Sequence, residues 1–85
     1  MADNIRRLPD SELVVMQAVW QATPPVSRTA LEEILQPDHP MAQTTLLTLL
    51  SRLTEKGFLQ VEKAGKTNYY IPCVTREAYV SAQGR

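Results

Sequence analysis

The chain has 85 residues, enough for one small domain, and its nine Lys and Arg balance its nine Asp and Glu to a formal net charge of zero. With 44% hydrophobic and 21% charged residues, the composition is ordinary for a globular chain, which excludes a disordered charged tail and a two-domain enzyme. A domain of this size buries only about 60–65% of the surface of its unfolded chain, so we expect modest stability.

Neither membrane insertion nor active-site chemistry is indicated by the sequence. No apolar run approaches the roughly 20 residues that a bilayer span needs, and the first residues lack a signal-peptide pattern. We therefore expect a cytoplasmic protein without a membrane partner. Cys73 is the single cysteine and His39 the single histidine, so no metal site is predicted. The sequence contains no glycine-rich phosphate loop, paired carboxylates or catalytic triad, so we expect neither a cofactor nor enzyme activity.

The first forty residues predict two short amphipathic helices separated by prolines. Asp10 or Ser11 is expected to cap the first helix, because a short polar side chain there accepts from free amide groups. The apolar positions of this helix recur at helical spacing: Leu13, Met16, Val19 and Trp20. Pro24-Pro25 ends it, Val26 is a candidate extended residue, and Ser27 is expected to cap the second helix.

The segment from Met41 to Lys56 has the most regular pattern and predicts a third helix of roughly 24 Å. One buried stripe follows the spacing i, i+3, i+4, i+7: Leu46, Leu49, Leu50 and Leu53. The opposite face carries short hydroxyls, and the two flanks carry mixed side chains: Thr44, Thr48 and Ser51 on the face, Gln43 and Leu47 on one flank, Thr45 and Arg52 on the other. Gly57 is the expected C-terminal cap.

After Gly57 the hydrophobic period changes to that of strands. Residues 58–63 and 67–71 predict two antiparallel strands joined by Ala64-Gly65-Lys66. A two-residue loop would pair Leu59 with Tyr70, and a three-residue loop would pair it with Ile71. The sequence leaves both registers open. Pro72 ends the hairpin, and Thr75 is a candidate cap for a fourth helix.

Three short helices followed by a hairpin predict a mainly α domain with a small antiparallel β-hairpin, which is a winged helix-turn-helix. The charge is uneven along this chain. Residues 1–40 contain six carboxylates and three arginines, whereas residues 41–72 contain four cations and two carboxylates. The cationic part holds the third helix, whose polar face has no carboxylate before Glu55, and the hairpin tip, which Lys63 and Lys66 flank.

Two functions are compatible with this arrangement. A helix of this length fits a major groove, which is about 12 Å wide, so the sequence favours duplex DNA binding with the hairpin wing on the backbone. A winged helix that binds only other proteins is the alternative, because the net charge is zero, the first forty residues are acidic, and Leu47 adds an apolar side chain to the helix.

Three groups of residues together resemble a known family. They are Ser11-x-Leu13-x-Val15-Met16-x-x-Val19-Trp20, then Thr45-Leu46-x-Thr48-Leu49-Leu50-x-Arg52-Leu53-x-x-Lys56-Gly57, then Tyr70-x-Pro72. Over about residues 8 to 80 this pattern is similar to that of the penicillinase repressors (BlaI, MecI and CopY type), which are bacterial winged-helix transcriptional repressors.

The resemblance implies a homodimer on a palindromic operator upstream of genes for β-lactam or copper resistance. It implies that the third helix of each monomer enters a major groove and that Thr45, Thr48 and Arg52 contact DNA. Further residues join this set because they share the exposed side of the helix or lie on the wing. The full candidate set is Gln43, Thr44, Thr45, Leu47, Thr48, Ser51, Arg52, Lys63, Lys66 and Thr67, with Arg6 and Arg7 as a candidate N-terminal arm.

The sequence departs from the family in two respects. Leu47 stands where relatives often carry a basic or polar side chain; it cannot hydrogen-bond a base, and its available contact is a thymine methyl group. Family members also continue into a helical dimerisation segment, whereas this chain stops at Arg85. We therefore expect residues 1–85 to form one DNA-binding domain with a core at about residues 8–80, largely monomeric. The C-terminal cysteine cluster of copper-type members is not present, so copper sensing has no support.

Overall fold

The computed structural model describes residues 6–83, and these form four helices packed on a small three-stranded sheet. In chain order the elements are α1 (Asp10–Gln21), β1 (Val26–Ser27), α2 (Arg28–Leu35), α3 (Gln43–Glu55), β2 (Leu59–Ala64), β3 (Thr67–Pro72) and α4 (Arg76–Gln83). The strands lie in the order β1-β3-β2, and both pairings are antiparallel. This is a winged helix, so the fold class predicted from the sequence is confirmed, with one short strand added to the hairpin.

The helix starts follow local capping chemistry at two of the three predicted sites. The Ser27 hydroxyl accepts a hydrogen bond from the Ala30 amide at 3.2 Å, and the Thr75 hydroxyl accepts one from the Ala78 amide at 3.0 Å. Both predicted caps are therefore confirmed. The prediction for α1 was wrong: the residue before this helix is Pro9, and no side chain caps it. The Asp10 carboxylate still lies in the first turn, where it suits the positive end of the helix dipole.

The end of α3 is set by Gly57, as predicted. Its φ of +83° is in the left-handed region, which a glycine adopts without a Cβ clash. The amide of Gly57 donates to the Thr54 carbonyl at 3.1 Å, and the amide of Phe58 donates to the Leu53 carbonyl at 2.9 Å. These two hydrogen bonds form a Schellman motif, a common way for a helix to end. Only three residues separate α3 from β2, and Phe58 and Leu59 lie in the core.

The hairpin turn is one residue shorter than the three-residue segment considered from the sequence. Ala64 still belongs to β2 and pairs with Thr67, so only Gly65 and Lys66 form the turn. Gly65 has a φ of +63°, and a positive φ confined to the first of two turn residues is the type II′ pattern. This turn type matches the natural twist of two strands, which explains why β2 extends to Ala64.

The strand register differs from both predicted alternatives. Leu59 pairs with Pro72 rather than with Tyr70 or Ile71. Tyr70 instead lies opposite Val61 of β2 and Val26 of β1. β3 is therefore the central strand, and Tyr70 on it is buried.

The core forms where the leucine stripe of α3 meets α1 and the sheet. Leu46, Leu50 and Leu53 are fully buried, and Leu49 is nearly so, which confirms the predicted stripe. They pack in one cluster with apolar side chains of α1, α2 and the strands. This packing fixes the rotation of α3 about its axis, and the other face of the helix is thereby held toward solvent.

Three aromatic rings of the same core attach α4 to the domain. The Tyr79 ring lies 5.8 Å from the Trp20 ring and 6.0 Å from the Phe58 ring, measured between centroids. The Tyr79 hydroxyl accepts a hydrogen bond from the Leu8 amide at 2.9 Å, and the Trp20 indole donates to the Val74 carbonyl at 2.8 Å. Trp20 therefore serves the core, as the apolar stripe of α1 predicted.

Candidate nucleic-acid interface

The solvent face of α3 carries every candidate residue that the sequence assigned to this helix. Their side chains are all exposed: Gln43, Thr44, Thr45, Leu47, Thr48, Ser51 and Arg52. The first carboxylate on α3 is Glu55, at its last residue. The surface offered by the first three turns is therefore made of short hydroxyls, one amide, one leucine and one guanidinium, and it does not repel an anion.

Thr48 has a more restricted hydrogen-bonding capacity than its exposure suggests. Its hydroxyl donates to the carbonyl oxygen of Thr44 at 2.9 Å, within the same helix. The hydroxyl hydrogen is therefore already used, and only the oxygen lone pairs face outward. Thr48 in this rotamer can accept from the amino group of adenine or cytosine, but it cannot donate to a phosphate oxygen.

The wing carries the remaining predicted residues of the interface. Lys63 and Thr67 lie on the two strands next to the turn, and Lys66 lies within it. All three side chains are exposed. Two ammonium groups at the end of a protruding hairpin are suited to contact the phosphate backbone beside a groove.

A surface groove joins α3 to the wing and to the start of α2. It is lined by three predicted residues and five others: Leu47, Lys66 and Thr67, with Ser27, Arg28, Thr29, Asn68 and Tyr70. The structure thus brings Leu47 together with the wing tip. The other candidates on α3 lie outside this groove, and so does Lys63, which pairs with Asn68 across the hairpin.

Arg28, Thr29 and Asn68 are candidate interface residues that sequence reasoning missed. The Ser27 cap did indicate that Arg28 and Thr29 begin a helix, where backbone amides and a positive dipole favour an anion. What the sequence could not show is that β1 pairs with β3 and so places the start of α2 beside the wing. The helix cap is visible in the local sequence, whereas the proximity of α2 to the wing arises only from the tertiary structure.

The groove is cationic. No carboxylate lines it, and Arg28 and Lys66 both contribute positive charge. Arg28 also pairs with Glu32, one helical turn further along α2. Burial raises the pKa of the Tyr70 hydroxyl, and the nearby Arg28 charge lowers it by less. Tyr70 therefore stays neutral at physiological pH and adds no negative charge to this surface.

Lys56 does not belong to the interface, although it contributed to the positive charge counted for residues 41–72. Its ammonium nitrogen lies 2.5 Å from a carboxylate oxygen of Glu12, whose side chain is 2% exposed. The Lys56 side chain is itself three-quarters buried. A buried carboxylate requires a partner, and Lys56 supplies it. This ion pair ties the start of α1 to the end of α3 and so helps to hold α3 in place.

Arg6 and Arg7 are exposed and directly precede Leu8, which is buried and hydrogen-bonded to Tyr79. Neither arginine lines the groove, and an N-terminal arm remains a prediction.

Within residues 6–83, no three His, Cys, Asp or Glu side chains come together in a way that could hold a metal ion. In the same part of the chain no helix is both long and apolar enough to span a bilayer.

The fold and this surface define a winged helix protein with an exposed, carboxylate-poor third helix beside a cationic wing. A sequence profile described as penicillinase repressor matches residues 8–85. The chain therefore belongs to the penicillinase repressor family.

Individual relatives agree with this assignment. The chain is 38% identical over 74 residues to an uncharacterised 16.5 kDa protein of Latilactobacillus sakei, and this match covers 87% of the chain and 50% of the relative. It is 30% identical over 78 residues to the transcriptional regulator BlaI of Mycobacterium tuberculosis, a match that covers 92% of the chain and 56% of that protein. The chain thus spans about half the length of these curated relatives.

A solved structure matches the fold over most of both chains. It is the solution structure of the monomeric form of Bacillus licheniformis BlaI in complex with the blaP half-operator. The TM-score is 0.72 at 28% sequence identity, and the match covers 88% of this chain and 90% of that one.

Proposed function

We propose that this domain binds double-stranded DNA in a sequence-specific manner and serves as the DNA-binding part of a transcriptional repressor. The observation that carries the proposal is the exposed, carboxylate-poor face of α3, which meets the cationic groove at the wing through Leu47. The structural neighbour, which is in complex with a half-operator and is 28% identical to this chain, supports the same function for this fold. In the proposed complex α3 lies in the major groove and the wing lies along the backbone.

The residue types on the surface suggest a division of roles. Arg52 is suited to a bidentate contact with guanine, and Gln43 to one with adenine. The hydroxyls of Thr44, Thr45 and Ser51 are short enough to reach phosphate oxygens or base edges at close approach. Lys63, Lys66 and Thr67 of the wing supply backbone contacts, which give affinity without sequence preference.

The remaining parts of the proposal concern the whole protein. We propose a homodimer on a palindromic operator, with each copy of this domain on one half-site, and resistance genes as the regulated targets. A bacterial repressor meets its operator in the cytoplasm, so the expected location belongs to the same proposal. Two copies of the domain joined by a linker of suitable length should bind a palindromic site about 10²–10⁴ times more tightly than one copy.

A mobility-shift titration on random-sequence duplex at about 50 mM salt tests the function directly. A DNA-binding domain shows non-specific affinity under these conditions, and that affinity falls steeply as salt is raised. We expect a salt-sensitive shift, and we expect a selected duplex to bind more tightly than the random pool. A chain that shifts no duplex at tens of micromolar would instead support the alternative, a winged helix that binds only proteins, with Leu47 at the contact.

A further inference from the structure

Leu47 is an unusual residue for the place that it occupies. Its side chain is 38% exposed and lies on the solvent face of α3. Its neighbours on the helix surface, three and four residues away, include Gln43, Thr44 and Ser51, which are all polar and exposed. The core of α3 is already filled by its leucine stripe. Leu47 lies outside the core cluster, and the exposed part of its side chain is available to a partner.

The groove beside Leu47 restricts what that partner can be. Its other lining residues are polar or cationic, including Arg28, Lys66 and Asn68, and no carboxylate is among them. A purely apolar partner would leave these groups without water or hydrogen bonds, which is costly. A ligand that combines negative charge with one small apolar group satisfies both the groove and the leucine.

A DNA duplex presents this combination at only one kind of base pair. In the major groove, adenine, guanine and cytosine offer polar edges, whereas thymine offers an apolar methyl group at C5 beside its O4 atom. On the proposed DNA-binding function, we propose that Leu47 reads a thymine methyl group in each half-site, while Lys66 and Arg28 hold the neighbouring phosphates. The leucine is then a specificity-determining residue of this chain.

The specificity comes from the methyl group. Contact between Leu47 and the methyl group removes about one CH₂ equivalent of apolar surface from water, which corresponds to about a fourfold gain in affinity. Thymine and cytosine both carry a polar group at C4, so the leucine distinguishes them by the methyl group that only thymine has at C5. Thymine is therefore favoured over cytosine by the same contact.

The test uses the duplex that the wild-type domain selects from a random pool. Each thymine in that duplex is replaced in turn by deoxyuridine, which lacks only the methyl group. We expect one thymine in each half-site at which the replacement weakens wild-type binding about fourfold. With Leu47→Ala the same replacement should leave affinity unchanged, and Leu47→Met should retain part of the discrimination.

Val80→Ala is the matched control, because Val80 is also an exposed aliphatic residue, at 52% exposure, but lies on α4 outside the groove. It should discriminate thymine from deoxyuridine as the wild type does. If the wild type binds the selected duplex but tolerates every replacement, or if Leu47→Ala keeps the discrimination, the thymine assignment is overturned while DNA binding stands. If the wild type binds no duplex, the proposed function fails and the assignment fails with it.

Discussion

The two faces of α3 differ in what they contribute to the molecule. On the inward face Leu46, Leu50 and Leu53 are fully buried and pack in one core cluster. On the outward face the candidate interface residues are exposed, and Thr48 bonds only to its own helix. The residues that stabilise the domain and the residues proposed to bind DNA therefore lie on opposite faces of the same helix. Substitutions on one face should change the free energy of unfolding, and those on the other should change DNA affinity.

The largest effect is expected from the inward face. Leu50→Ala removes a fully buried side chain and leaves a cavity, so we expect a loss of about 2–5 kcal/mol in the free energy of unfolding. Urea denaturation followed by circular dichroism measures this loss. Leu47→Ala is the matched control on the outward face and should change stability by less than about 0.5 kcal/mol. Equal losses for the two variants would show that the faces are not separate.

A somewhat smaller loss is expected from the ion pair between α1 and α3. Lys56→Met leaves the Glu12 carboxylate buried without its partner, so we expect a loss of about 3 kcal/mol in the free energy of unfolding. A double variant with Glu12→Leu as well should recover most of it, because no charge is then buried. Chemical denaturation of both variants measures the two values. A single variant as stable as the wild type would contradict a structural role for this pair.

On the outward face Arg52→Ala should act on binding alone. Loss of a bidentate guanidinium contact is expected to weaken binding to the selected duplex by about 1–3 kcal/mol, with stability unchanged to within about 0.5 kcal/mol. Arg76→Ala, which removes an exposed arginine of α4, a helix without candidate interface residues, is the control. Mobility-shift titration against selected and random duplexes measures the effect. A uniform loss on both duplexes would make Arg52 a phosphate contact instead.

Substitution in the wing should have the smallest effect on DNA affinity, and this effect should not depend on the DNA sequence. Lys66→Ala removes one ammonium group at the hairpin turn, so we expect the salt dependence of log K to fall by about one unit. Affinity for selected and random duplexes should decrease by the same factor. Lys66→Arg keeps the charge and should keep the slope. A slope unaffected by Lys66→Ala would remove the wing from the interface.

What the sequence could and could not predict follows from the range of the interactions concerned. The leucine stripe, the Gly57 ending and the Ser27 and Thr75 caps are set by neighbours within about one helical turn, and these predictions are confirmed. The pairing of Leu59 with Pro72 depended on where a single turn residue falls, and both predicted registers were wrong.

The candidate site shows the same limit. The exposed face of α3 followed from helical periodicity alone. The burial of Lys56 against Glu12 joins residues 44 positions apart, and the approach of Arg28 to the wing depends on the pairing of β1 with β3. No local pattern in the sequence predicts either contact. For this reason Lys56 was counted with the cationic surface of residues 41–72, and Arg28 was absent from the candidate set.

The hydrogen bond from the Leu8 amide to the Tyr79 hydroxyl joins residues 71 positions apart in the chain. The Tyr79 ring also contacts the rings of Trp20 and Phe58. One side chain of α4 therefore holds three separate parts of the domain together. Loss of the Tyr79 ring would release α4 and the segment at Leu8 at the same time.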